Sequence, residues 1–176
     1  MCFFVDAAHF VMQPFLGFLW CFVRQFIQAP SGRKRFNVLG ALHATSLQIV
    51  TVTNDTYINA CSVAALLYKL AVDFQDLPIT LIMDNARYQR CRLIQTLATG
   101  LDIELLFLPP YSPNLNLIER LWKFIKKECL YSEYYDKFPD FKQAILNSII
   151  HPDKHKLGSL LTLNFQSFNS VTLSPC

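Results

Sequence analysis

The chain reads as an α/β protein built on a mixed sheet covered by helices, and three observations carry that expectation. Apolar runs of strand character alternate with helix-compatible stretches along much of its length. Two of those runs, FFVD and ITLIMD, share one grammar, an apolar strand closed by an acid, at Asp6 and Asp84. Residues 105–127, LLFLPPYSPNLNLIERLWKFIKK, pass from an apolar strand through a proline-broken loop into an amphipathic helix with Glu119 near its start. In sheets of this kind ligands bind at the carboxyl ends of the parallel strands, and Asp6 and Asp84 are expected at such ends.

Taken in order, Met1 leads directly into CFFVD, an apolar strand expected to end at Asp6. Residues 15–27, with Trp20 and Phe22, suggest a short strand ending at Arg24, and Ala29-Pro30-Ser31-Gly32 makes a turn into the basic triplet Arg33-Lys34-Arg35. Residues 36–45 and 47–53 read as an antiparallel hairpin. Asn54, Asp55 and Thr56 supply caps for a helix over 57–72, which residues 73–78 close. The strand at 79–84 is followed by a helix over 86–99 with Gly100 as its stop, then by a last strand at 103–108. In the following helix Leu117, Ile118, Leu121, Trp122 and Ile125 form one apolar face, with Glu119, Lys123, Lys126 and Lys127 opposite. Pro109, Pro110 and Pro113 keep that helix from starting earlier, and Asn116 can cap it. Residues 140–150 suggest a further helix, whereas 159–176 carry no readable pattern; His151 and His155, separated by Pro152, read as surface histidines.

Composition narrows the class. A chain of 176 residues suits one domain, and 52% hydrophobic residues with 15 Phe provide a genuine core, which excludes disorder for most of the chain. No internal repeat is present. The net charge of +3 is too mild to identify a nucleic-acid binder, so local clustering has to carry that argument. Six cysteines at 2, 21, 61, 91, 129 and 176 contain no C-x-x-C pair, which indicates neither a zinc cage nor a disulfide framework and suits a reducing cytoplasm. The run FVMQPFLGFLWCFV is interrupted by Gln13 and Pro14 and is too short to span a bilayer, so no membrane partner is expected.

Each acid has an ordinary reading. Asp6 can mark a turn, Asn116 with Glu119 makes a capping box, and Glu119 with Lys123 makes a helix-surface ion pair. The basic triplet reads equally as a solvated loop or as a phosphate contact. Together, however, two strand-end acids and one helix-start acid form a coherent set. Mg²⁺ takes carboxylate oxygens and keeps waters for substrate phosphates. Two such ions, roughly 4 Å apart, clamp the attacking and leaving oxygens of an in-line phosphoryl transfer.

FFVDAAHF, LIMDNARYQ and LPPYSPNLNLIERLWKFIK, with 34 residues between Asp84 and Glu119, resemble the DDE-type transposases of the mariner-like superfamily, particularly the bacterial insertion-sequence branch. The resemblance spans residues 2–130. It implies a ribonuclease-H-like fold, a mixed sheet with helices on both faces. It also implies that Asp6, Asp84 and Glu119 are catalytic and bind two Mg²⁺ ions, for which Mn²⁺ substitutes. The family's chemistry cuts transposon ends with water and then joins the freed 3′-hydroxyl to target DNA, with no covalent protein intermediate. Asn85, Arg87 and the loop at 109–116 match motif positions near the metals.

On this resemblance residues 1–130 form the catalytic core, and residues 131–176 a helical extension and tail of the same domain. Members carry helix-turn-helix domains ahead of the first catalytic strand; here Met1 sits at that strand, and that region is expected to be absent. Affinity for double-stranded DNA is then mainly electrostatic, through Arg24, Arg33, Lys34, Arg35, Lys123, Lys126 and Lys127, with a homodimer as the expected assembly. Two alternatives keep the same residues: a ribonuclease-H-like nuclease or junction resolvase, and a non-catalytic DNA-binding or assembly remnant of a truncated transposase.

Overall fold

The computed structural model describes residues 1–12, 34–109, 116–131 and 133–152. The opening apolar run becomes β1, Cys2–Val11, whose alternating side chains enter two different cores. It pairs antiparallel with β2, Arg35–His43, which pairs antiparallel with β3, Ile49–Asn54. On its other side β1 pairs in parallel with β4, Ile79–Met83, and β4 in parallel with β5, Ile103–Phe107. The result is one mixed sheet in the order β3-β2-β1-β4-β5.

Helices cover both faces, as expected. One face packs α1, Ala60–Asp73, and α2, Arg92–Gly100, over Phe3, Val5, Leu39, Ala41, Leu81 and Met83. The other packs α3, Leu117–Leu130, and α4, Phe138–Ile150, over Phe4, Ala8, Phe10, Phe36, Val38 and Leu42. Phe141, Ile145 and Ile149 of α4 belong to the same core as α3, so the helix after residue 131 is packed into this sandwich. Among the described residues no helix is long and apolar enough to cross a membrane.

Several sequence expectations are corrected. Asp6 is in the middle of β1, because the antiparallel ladder with β2 continues to Val11 after the parallel ladder with β4 has ended at Val5. The hairpin turn absorbs residues 44–48, where Leu47 adopts φ 59°, so β3 starts later than expected. The first helix is capped by Asn59, which exchanges a capping box with Ser62. Asn54 instead ends β3, where its Oδ1 accepts from the buried Asn37, whose own Oδ1 lies 2.6 Å from His9 Nδ1. The helix expected over 86–99 begins only at Arg92; residues 86–90 make a turn in which Gln89 and Arg90 both donate to the Ala86 carbonyl. Gly100 closes that helix from inside, and the left-handed residue beyond it is Asp102, φ 55°. The expected strand ending at Arg24 and the turn at 29–32 lie outside the described residues, as do His155 and the tail.

Candidate active site

The divergence of two ladders creates the site. β1 and β4 run in parallel only to the pair Val5↔Met83, so the next residues, Asp6 and Asp84, stand at the point where β4 leaves the sheet. Along β1, Asp6 has the same parity as Phe4 and Ala8, which places its side chain on the face covered by α3. Glu119 occupies the first turn of α3 between the buried Ile118 and Leu121 and is itself half-buried.

How closely α3 approaches is set by a glycine. Gly40 is the cross-strand partner of Asp6. A β-carbon there would stand 2.7 Å from Cη2 and Cζ2 of Trp122 and 3.1 Å from Cδ1 of Ile118, closer than real contacts allow. The missing side chain thus admits the Trp122 ring against the sheet beside Asp6 and brings the start of α3 down with it.

Asn116, 1% exposed, precedes α3 but does not cap it. Its Nδ2 donates instead to the Val5 carbonyl and to Asp84 Oδ1, each at 3.3 Å. The expected capping box with Glu119 is therefore replaced by a tie to the strand carrying Asp6 and to the second acid. The backbone of the pair is joined as well, Glu119 N donating to Asn116 O at 3.2 Å.

Electrostatics show that the three acids share one environment. Burial pushes the Asp6 carboxyl up to about 7, and the neighbouring charges of Asp84 and Glu119 add to that, opposed by a backbone hydrogen bond from Ala7 and by Lys126. Burial and Asp84 likewise raise Glu119, while Lys123 lowers it. The Tyr88 phenol, on the turn after β4, is raised by burial and then by the charges of Asp6 and Asp84.

An all-oxygen donor set whose negative charge Lys123 and Lys126 offset only in part fits a hard divalent cation. Among the described residues no group of three or more His, Cys, Asp or Glu closes on a single ion position. Mg²⁺ does not need that, since one or two carboxylates suffice when waters and substrate phosphates complete its shell. The donor chemistry of Asp6, Asp84 and Glu119, oxygen atoms only, suits such an ion.

The basic residues fall into two groups. Lys123 and Lys126 lie along α3 near the acids, and Lys126 Nζ also sits 5.8 Å from the centre of the Phe10 ring. Lys127 is exposed in the last turn. Lys34 and Arg35 line an open cavity of about 560 Å³ together with Asp55, Thr56, Tyr57 and Phe138. The register pairs Val11 with Arg35 and Asp6 with Gly40, so that cavity is roughly 17 Å along the sheet from the acids. Arg24 and Arg33 lie outside the described residues.

Gly40 and Tyr88 were not picked out from the sequence, and Asn116 was read as a cap. A lone glycine inside an apolar strand was the available signal for close approach at Gly40; nothing local marked Tyr88, because the turn that presents it read as helix.

The five-stranded mixed sheet with helices on both faces is a ribonuclease-H-like fold. The chain belongs to the DDE superfamily endonucleases, whose family model matches residues 4–142. Solved structures with the same fold include a pre-cleavage Mos1 transpososome, 14% identical with TM-score 0.67 over 91% of this chain and 51% of that one. The Mos1 mariner paired-end complex with Mn is 15% identical, TM-score 0.66, covering 91% and 53%. The paired-end complex with Mg is 13% identical, TM-score 0.64, covering 91% and 53%. The chain thus spans about half the length of these structures. No curated protein matches the sequence.

Proposed function

We propose that this chain is the catalytic domain of an insertion-sequence transposase, which cleaves double-stranded DNA at transposon ends and transfers the freed strand to target DNA. The observation that carries the reading is the convergence of Asp6, Asp84 and Glu119, from separate elements, into one electrostatic environment at the point where β1 and β4 part. Family membership over residues 4–142 supports it.

Asp6, Asp84 and Glu119 would hold two divalent ions, Mg²⁺ or Mn²⁺, which when bound supply Lewis-acid stabilisation of the attacking and leaving oxygens. The chain's own part is to place those carboxylates and to present Lys123 and Lys126 to the phosphates beside them. Lys34, Arg35 and Lys127 extend the DNA contact away from the reacting phosphate, and Arg24 and Arg33 add positive charge for the same duplex. Pairing two transposon ends calls for a homodimer, and the place of action is the cytoplasm.

The test is nicking of supercoiled plasmid by the purified chain in Mn²⁺ and in Mg²⁺, beside Asp84→Asn and a metal-free control. Metal-dependent nicking that drops at least about a hundredfold in Asp84→Asn is the expected result. Nicking that survives Asp84→Asn or needs no metal would refute the assignment.

A further inference from the structure

Asn116 is tied to Asp84, to the backbone of Glu119 and to the residue that precedes Asp6. Its side-chain amide donates to the carbonyl of Val5, the residue before Asp6, and to the carboxylate of Asp84. Its carbonyl accepts from the backbone of Glu119. It is almost wholly buried, and its Oδ1 has no hydrogen-bond partner among the described residues. A side chain capping α3 would accept a first-turn backbone N–H through Oδ1; here Oδ1 accepts none, and the Nδ2 group donates to Val5 and Asp84.

We infer that Asn116 is a positioning residue for metal binding, one that orients the Asp84 carboxylate and sets the distance of Glu119 from Asp6. This rests on the endonuclease reading above. Hydrogen bonds that orient metal-binding carboxylates typically change metal affinity about 10–100-fold when removed.

The test separates this role from a helix cap. Serine caps helices as well as asparagine does, and glycine loses only a few tenths of a kcal/mol, but neither reaches Asp84. Mn²⁺ binding by the full chain is measured calorimetrically for wild type, Asn116→Ser, Asn116→Gly, Asp84→Asn and the Asn116→Ser/Asp84→Asn pair, with a thermal melt of each. Expected are melts close to wild type, at least tenfold weaker Mn²⁺ binding in Asn116→Ser or, should that variant not fold, in Asn116→Gly, and a double variant no weaker than Asp84→Asn alone. Wild-type Mn²⁺ affinity in a folded Asn116 variant would overturn the inference and leave the endonuclease reading standing, as would additive losses in the double variant. Failure of both single variants to fold would also overturn it, by making Asn116 a folding residue. A folded wild type that binds no Mn²⁺ at all would overturn both.

Discussion

The two faces of the sheet bury hydrophobic cores of similar make-up yet do different work. Under α1 and α2 the contacts are aliphatic side chains filling space, Leu66, Leu67 and Leu70 against Leu39, Leu81 and Met83. Under α3 and α4 the same kind of packing has a second task, because Ile118, Trp122 and Gly40 set where an acid-bearing helix comes to rest beside Asp6. One face supplies stability, and the other converts stability into the position of charge. A core residue therefore matters to chemistry only when a functional group sits on the element it positions.

The largest test of this contrast is truncation on the plain face. Leu67→Ala, at a fully buried position, is expected to lower unfolding free energy by about 2–5 kcal/mol in denaturant titration while leaving the Mn²⁺ affinity of the folded protein unchanged. On the other face Gly40→Ala forces the Trp122 ring away, an overpacking cost of about 1–3 kcal/mol. Its smaller loss of stability is expected to bring the larger loss of plasmid nicking. Equal Mn²⁺ affinities and nicking rates in both variants would erase the distinction between the faces.

A third effect has the opposite sign. The Asp6 carboxyl is raised from 3.8 to about 7, so the folded protein holds its proton more tightly than the unfolded chain. Stability from this group is intact below pH 4, falls as pH rises from about 4 to 7, and is fully lost above that. Asp6→Asn should therefore melt higher than wild type at pH 8 in the absence of metal and almost level with it at pH 4, while abolishing nicking. Adding Mn²⁺ to wild type should raise the melt more at pH 8 than at pH 5.

The smallest effects concern the basic residues of α3. Lys126→Ala is expected to reduce the salt dependence of DNA binding by about one unit of slope, and Lys127→Ala, farther from the acids, by less. A binding titration across salt concentrations distinguishes them.

Much of the architecture was legible in the sequence because local patterning encodes it. Apolar runs of strand character became β1, β2, β4 and β5, and the repeat of Leu117, Ile118, Leu121, Trp122 and Ile125 became the buried face of α3. The acids stood out as candidates for a similar reason, since an acid closing an apolar run conflicts with burial and asks for a partner. Local signals failed where two local solutions compete. Residues 86–91 have helix-compatible composition but turn, and Asn54–Thr56 look like caps but serve β3 and Asn37.

What only the tertiary structure decided is the relation between distant residues. The opposition of Gly40 to Asp6 depends on strand register, which no local pattern specifies. The tie from Asn116 Nδ2 to the strand side depends on the carbonyl of Val5 lying within reach, 111 positions away in sequence. The raised Asp6 carboxyl depends on burial and on charges brought from β4 and α3. Secondary structure arises from interactions over a few residues and so is written in the sequence; a site assembled from three elements is defined by distances that exist only after the sheet and its helices have packed.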